Sequence, residues 1–203
     1  MTFYIFNNKI FQFIITFMED AMKKVTLGIT GTIGANDIIN HILYLKKYFH
    51  VDIILTQEAK KFVPEQSLIF YADNVYSEMY DQKGSIPHVN LGKEADIFII
   101  LPASANTISK ISSGIADNLL TASILNFTGP LLIAPNMNQN MWKNPIIQDN
   151  VNYLKEKGHI FINQSHEAYI ACERIYETVE VALPKPHELI KIIKSLYENK
   201  ILE

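Results

Sequence analysis

Three short segments of this 203-residue chain gather side chains that could hold a ligand. The first, TGTIG at 30–34, pairs small residues with two threonine hydroxyls, so backbone N–H groups there can approach a phosphate at a helix start. Gly28, Gly31 and Gly34 do not spell the G-x-G-x-x-G dinucleotide pattern, and a tight strand-to-helix turn explains the loop equally well. In the second, PASANT at 102–107, Ser104, Asn106 and Thr107 stand at a helix start with Ala103 and Ala105 between them. One such polar residue suffices as a cap; three with small spacers suit a flat ligand lying against the backbone. The third, PNMNQNMW at 135–142, offers Asn136, Asn138 and Asn140 as neutral donors and acceptors beside Met137, Met141 and the only tryptophan. Asparagines are also ordinary turn formers. His88, in IPHVNL, gains interest if the fold carries it from its loop to the strand ends. Of the other histidines, His50 and His159 border strands, and His41, His166 and His187 read as surface positions.

The surrounding pattern says what must position these segments. Continuously apolar runs at 24–30, 51–55, 95–101, 131–134 and 159–162 read as strands, with Pro102 and Pro135 ending two of them. Helical spacing is predicted for 37–48, from 56, for 104–125 with a break at Gly114, for 146–155 and for 186–197. Apolar strands alternating with helices indicate a parallel sheet covered on both faces. Ligands of such folds bind beyond the carboxyl ends of the strands, where all three segments fall.

Composition narrows the function without naming it. A net charge of −3, with 48% hydrophobic and 19% charged residues, describes a globular domain. Of the 18 basic residues all but Arg174 are lysines, scattered along the chain, which argues against nucleic acid as a partner. One cysteine excludes an intramolecular disulfide and any Cys-rich metal cluster, and suits a reducing cytoplasm. No metal site is expected. Residues 1–22 are rich in Phe and Ile, but Asn7, Asn8, Lys9 and Gln12 interrupt them too early for a stable membrane span. That segment is read as a mobile or adventitious extension, or else as an amphipathic piece packing on a neighbouring subunit, and 23–203 as one domain.

Taken together, His88, PASANT and PNMNQNMW, in that order, resemble the homo-oligomeric flavin-containing cysteine decarboxylases, from about Lys24 to Lys194. The resemblance implies an α/β, Rossmann-like (flavodoxin-like) three-layer sandwich. One branch of that family decarboxylates phosphopantothenoylcysteine for coenzyme A. The other oxidatively decarboxylates the C-terminal cysteine of lantibiotic precursors, as the epidermin- and mersacidin-type enzymes do. Asn136, where bacterial coenzyme A enzymes usually carry alanine, and the stretch YADNVYSEMYD at 71–81 resemble the peptide branch. Ala171-Cys172 resembles the coenzyme A branch, whose cysteine donates a proton, but Glu173-Arg174 follows in place of glycine. Cys172 is therefore read as core filling, with proton donation as the alternative.

The resemblance also implies roles. His88 would be the base that assists oxidation, and Asn138 would hold the substrate carboxylate without adding a charge. FMN, or FAD, would lie against Thr30, Gly31, Thr32, Ile33, Thr56, Phe62, Ser104, Ala105, Asn106, Thr107 and Asn136. Met141 and Arg174 would meet the peptide, Arg174 from a flap within 166–184. The product is an aminoenethiol, and the expected assembly is a homo-trimer or homo-dodecamer with flavin at subunit contacts, the apolar stretch 108–125 serving as interface as well as core. A flavin-binding regulatory subunit is the remaining alternative; His88 and Asn138, and the lack of an acidic tail, argue against it.

Overall fold

The computed structural model describes residues 22–80, 86–170 and 173–202. Residues 1–21, Asp81 and Cys172, on which the extension, part of the 71–81 stretch and the proton-donor alternative rest, lie outside the described residues.

Six strands build one parallel sheet in the order β3-β2-β1-β4-β5-β6: β1 Lys24–Ile29, β2 His50–Leu55, β3 Asn74–Tyr76, β4 Ile97–Ala103, β5 Leu131–Pro135 and β6 Ile160–Phe161. The central strands are apolar on both sides because both sides are covered. Val25, Leu27, Ile29, Ile97, Ile99 and Leu101 point to one face, where α1 (Ile38–Leu45) and the last helix, α8 (Pro186–Glu198), pack. Phe98, Ile100 and Ile133 point to the other, under α3 (Pro87–Lys93), α4 (Ala105–Ser112), α5 (Leu119–Leu125) and α7 (Pro145–Glu156). This is the expected three-layer α/β sandwich. Its amino edge is stitched by the buried carboxylate of Asp52, which meets Lys24 Nζ, His50 Nε2 and Asn74 Nδ2.

Several local expectations need correction. Pro102 does not end its strand: β4 runs through it to Ala103, with a register shift against β5 after Ile100 that accommodates the missing N–H. The helix from Thr56 is a single 3-10 turn, Ala59–Lys61, followed by one turn of α2, Glu65–Leu68, before the three-residue edge strand β3 that the pattern did not signal. The 104–125 segment is, as expected, broken at Gly114, which adopts φ +68° between two helices. Most of its apolar side chains are core, Ile108, Leu119 and Leu120 among them, whereas Ile115 and Leu125 are exposed. His88 is not in a loop but in the first turn of α3, behind Pro87 at the helix start. His41 is buried, its ring nitrogens facing the carbonyls of Asp37 and Pro184.

The segment 164–182 is an antiparallel hairpin, β7 Gln164–Ile170 and β8 Ile175–Ala182, separate from the main sheet. Along β7, half-buried and exposed residues alternate strictly, so the ribbon has an underside and an outer side.

Gly92 fixes where α3, and with it His88, can lie. A β-carbon there would stand 2.4 Å from the Ser123 carbonyl oxygen of α5. Gly92→Ala is expected to cost about 1–3 kcal/mol through overpacking, read as a lower urea midpoint at unchanged slope.

Candidate functional site

The carboxyl ends of the central strands are tied into one rim. The Thr30 hydroxyl donates to the Pro102 carbonyl at 2.7 Å and accepts from the Ser104 N–H at 2.8 Å. The Asn136 N–H donates to Ala103 O, and its side-chain oxygen accepts from the Gly34 N–H at 3.1 Å. Thr56 N donates to Ile29 O. The loops after β1, β2, β4 and β5 are thereby tied to neighbouring strand ends by hydrogen bonds.

Above this rim lies a cavity of about 1090 Å³. Its wall includes Thr30 to Gly34, Thr56, Ser104 to Thr107 and Asn136 to Gln139, with Met141. All three segments singled out by sequence therefore converge on one space. The underside of the hairpin, through His166, Ala168, Ile170 and Val179, forms the opposite wall. Phe62, His88 and Arg174 do not line this cavity. Arg174 sits in the hairpin turn with φ +57°, and His88 is half-buried on α3 with its Nδ1 buried and unpartnered.

Several of the polar groups already have structural work. Thr30 is only 1% exposed and bridges two strand ends. Ser104 caps α4 by accepting from Thr107 N. Asn138 caps α6 (Gln139–Trp142) by accepting from Met141 N at 2.8 Å, which commits its oxygen and leaves its NH2 as a donor. The geometry keeps the same division at Asn136. Two oxygens at the cavity are buried without any protein partner, Thr32 Oγ1 and Gln139 Oε1. A buried hydroxyl left open in a loop of small residues fits an occupant with phosphate or ring heteroatoms, such as a flavin nucleotide. The volume fits as well, since ligand pockets run to roughly 1,000 Å³.

The sequence reading missed part of this wall. Lys110 and Asp117 face the cavity as an ion pair at 2.5 Å between α4 and α5, and the Lys110 ammonium holds the Asp117 carboxyl below its ordinary value. His41 and Asp37 also line it. Glu58 and Lys185 complete the charged groups of its wall, three carboxylates against two lysines. Among the described residues no cluster of His, Cys, Asp or Glu could hold a metal ion, and no helix is long and apolar enough to cross a membrane.

The chain matches the family model described as Flavoprotein over residues 16–198. It is 33% identical over 141 residues to mersacidin decarboxylase of a Bacillus species, covering 69% of this chain and 73% of that protein. It is 38% identical over 156 residues to a probable phosphopantothenoylcysteine decarboxylase of Streptococcus mutans, covering 74% and 87%. Among solved structures, a histidine-to-asparagine variant of EpiD complexed with substrate peptide DSYTC gives a TM-score of 0.78 at 30% identity, over 86% of this chain and 99% of that one. The FMN-dependent cysteine decarboxylase SpaF gives 0.66 at 30% identity, over 70% and 84%.

The rim makes a direct prediction. Thr30→Val deletes a buried hydroxyl that serves both a donor and an acceptor, and is expected to cost about 1–3 kcal/mol in chemical denaturation. Added flavin should also bind this variant more weakly, read by equilibrium dialysis.

Proposed function

The chain belongs to the flavoprotein family, that of the flavin-containing cysteine decarboxylases, and from that premise we propose that it oxidatively decarboxylates the C-terminal cysteine of a lantibiotic-type precursor peptide. The observation that carries the proposal is the pairing of a neutral amide donor, Asn138, with a cavity roofed by the β7–β8 hairpin. The relatives are split between peptide and phosphopantothenoylcysteine decarboxylases. Asn136 and the hairpin turn Glu173-Arg174 favour the peptide.

Net, R–NH–CH(COOH)–CH2–SH becomes R–NH–CH=CH–SH, with loss of CO2, two protons and two electrons. FMN, on which SpaF is described as dependent, would supply the two-electron oxidant when bound, as FAD also could. The chain's residues do the rest. Thr32, the PASANT backbone and Asn136 hold the cofactor side of the cavity. The Asn138 NH2 donates to the substrate carboxylate. Its neutrality matters, because a cationic clamp would stabilise the very carboxylate that must leave. Met141 and the apolar hairpin underside keep water from the reacting carbons.

His88 would take the substrate proton, and since it stands outside its own chain's cavity, a neighbouring copy supplies it. The homo-oligomer is then a condition of activity rather than a packaging detail.

His88→Asn should leave a folded, flavin-loaded protein that no longer removes the mass of H2 plus CO2 from a Cys-terminated peptide, weighed by mass spectrometry. Mixing it with inactive Asn138→Ala subunits after mild dissociation should restore part of the activity. Retained turnover in His88→Asn removes the base; failure of the mixture to regain any turnover removes the shared site. Cys172→Ser should leave peptide turnover nearly unchanged, whereas a phosphopantothenoylcysteine decarboxylase that used this thiol as proton donor would lose most of its activity.

A further inference from the structure

Gln139 has no part in the chemistry above, yet it carries one of the few orphaned polar atoms in the described structure. It is the first residue of α6, immediately after Asn138, and it lines the same cavity. Two nearby amides have partners: the Asn138 oxygen accepts from Met141 N and the Asn136 oxygen accepts from Gly34 N. The Gln139 oxygen alone in this loop is shut off from solvent and left without a donor. A buried acceptor in that condition costs free energy until a donor arrives, so it selects for an occupant that brings one.

We infer that Gln139 is a substrate-positioning residue whose side-chain oxygen accepts a hydrogen bond from the amide N–H of the substrate's terminal cysteine. This rests on the reading of the site as one for an N-acylated cysteine. The chemistry selects that donor. If the carboxylate is gripped by Asn138, the nearest N–H of the substrate is on the same α-carbon, facing the adjacent residue of the same turn. The thiol is a weak donor and is consumed in the reaction. Two neighbouring carboxamides then read the two ends of one amino-acid unit, Asn138 as donor and Gln139 as acceptor, and neither adds charge. Fixing both ends leaves the side chain one rotation with which to present its CH2–SH, which is what orientation contributes to rate. Gln139 positions and does not touch the reacting atoms.

The test uses flavin-loaded protein in the His88→Asn background, so that binding is read without turnover, and a Cys-terminated pentapeptide with or without an N-methyl group on the cysteine amide. With Gln139 present, N-methylation should weaken binding about ten-fold by calorimetry, the scale of one hydrogen bond lost from a buried acceptor. Gln139→Met should bind the unmodified peptide about ten-fold more weakly and be indifferent to N-methylation, with the flavin content and visible spectrum unchanged. Equal sensitivity to N-methylation in both proteins overturns the proposal, as does a Gln139→Met protein that loses flavin or shifts its spectrum while binding peptide normally, which would assign the oxygen to the cofactor. The N-methyl comparison at unmutated Gln139 stands alone should the methionine variant fold poorly. Absence of any peptide binding in either protein overturns the functional reading, and this proposal with it.

Discussion

The hydroxyl of Thr30 holds the functional end of this molecule together. Parallel strands leave their carboxyl ends without a built-in means of fixing the loops that follow, and here one buried side chain joins two of them. It donates to Pro102 O and accepts from Ser104 N, so the loop after β1 and the PASANT segment cannot shift independently. Asn136 repeats the device between β5 and β1 through Gly34. The remaining groups of the rim face the cavity already oriented, with their committed atoms behind them and their free atoms forward. A site built from hydrogen bonds between loops depends on each one being made, because a buried group left unpaired costs more than a pair contributes.

The charges of the cavity wall lie outside the PNMNQNMW loop: Lys110 pairs with Asp117, Asp37, Glu58 and Lys185 stand on other segments, and the polar loop residues nearest the proposed carboxylate are amides. An amide orients an anion without holding it, which suits a carboxylate that has to depart. The hairpin adds a wall in which Ala168, Ile170 and Val179 supply apolar surface beside His166. Tyr169 and Tyr176 meet as a tilted cross-strand aromatic pair, 5.3 Å between centroids, stiffening a ribbon that pairs with itself rather than with the main sheet.

Most of the architecture was legible because long-period signals survive without an alignment. Apolar runs such as VTLGI and DIFIIL name the buried strands, and the Gly114 break between α4 and α5 is visible as a glycine in a helical pattern. The three ligand loops were legible because chain order and strand polarity force them to one edge of a parallel sheet. What was missed is local or tertiary. The β3 strand has three residues, too few for a period to register. The segment holding the hairpin reads as a flap, because QSHEAYI and IYETVEVA mix polar and apolar residues without the apolar run that marks a buried strand. The burial of His41 depends on a carbonyl at Pro184, 143 residues away, and no spacing rule reaches that far. The distance of His88 from its own chain's cavity is of the same kind: the motif gives the residue, but only packing says where it stands.

The central claim is net oxidation of a peptide's terminal cysteine, and an anaerobic reaction with a stoichiometric excess of substrate tests it most directly. Flavin-loaded protein mixed without oxygen with a Cys-terminated peptide should lose its yellow absorbance, convert about one peptide per bound flavin, and stop until an oxidant is admitted. Continued anaerobic turnover of phosphopantothenoylcysteine, with the absorbance retained and the peptide untouched, would contradict the account and assign the chain to the non-oxidative branch of its family.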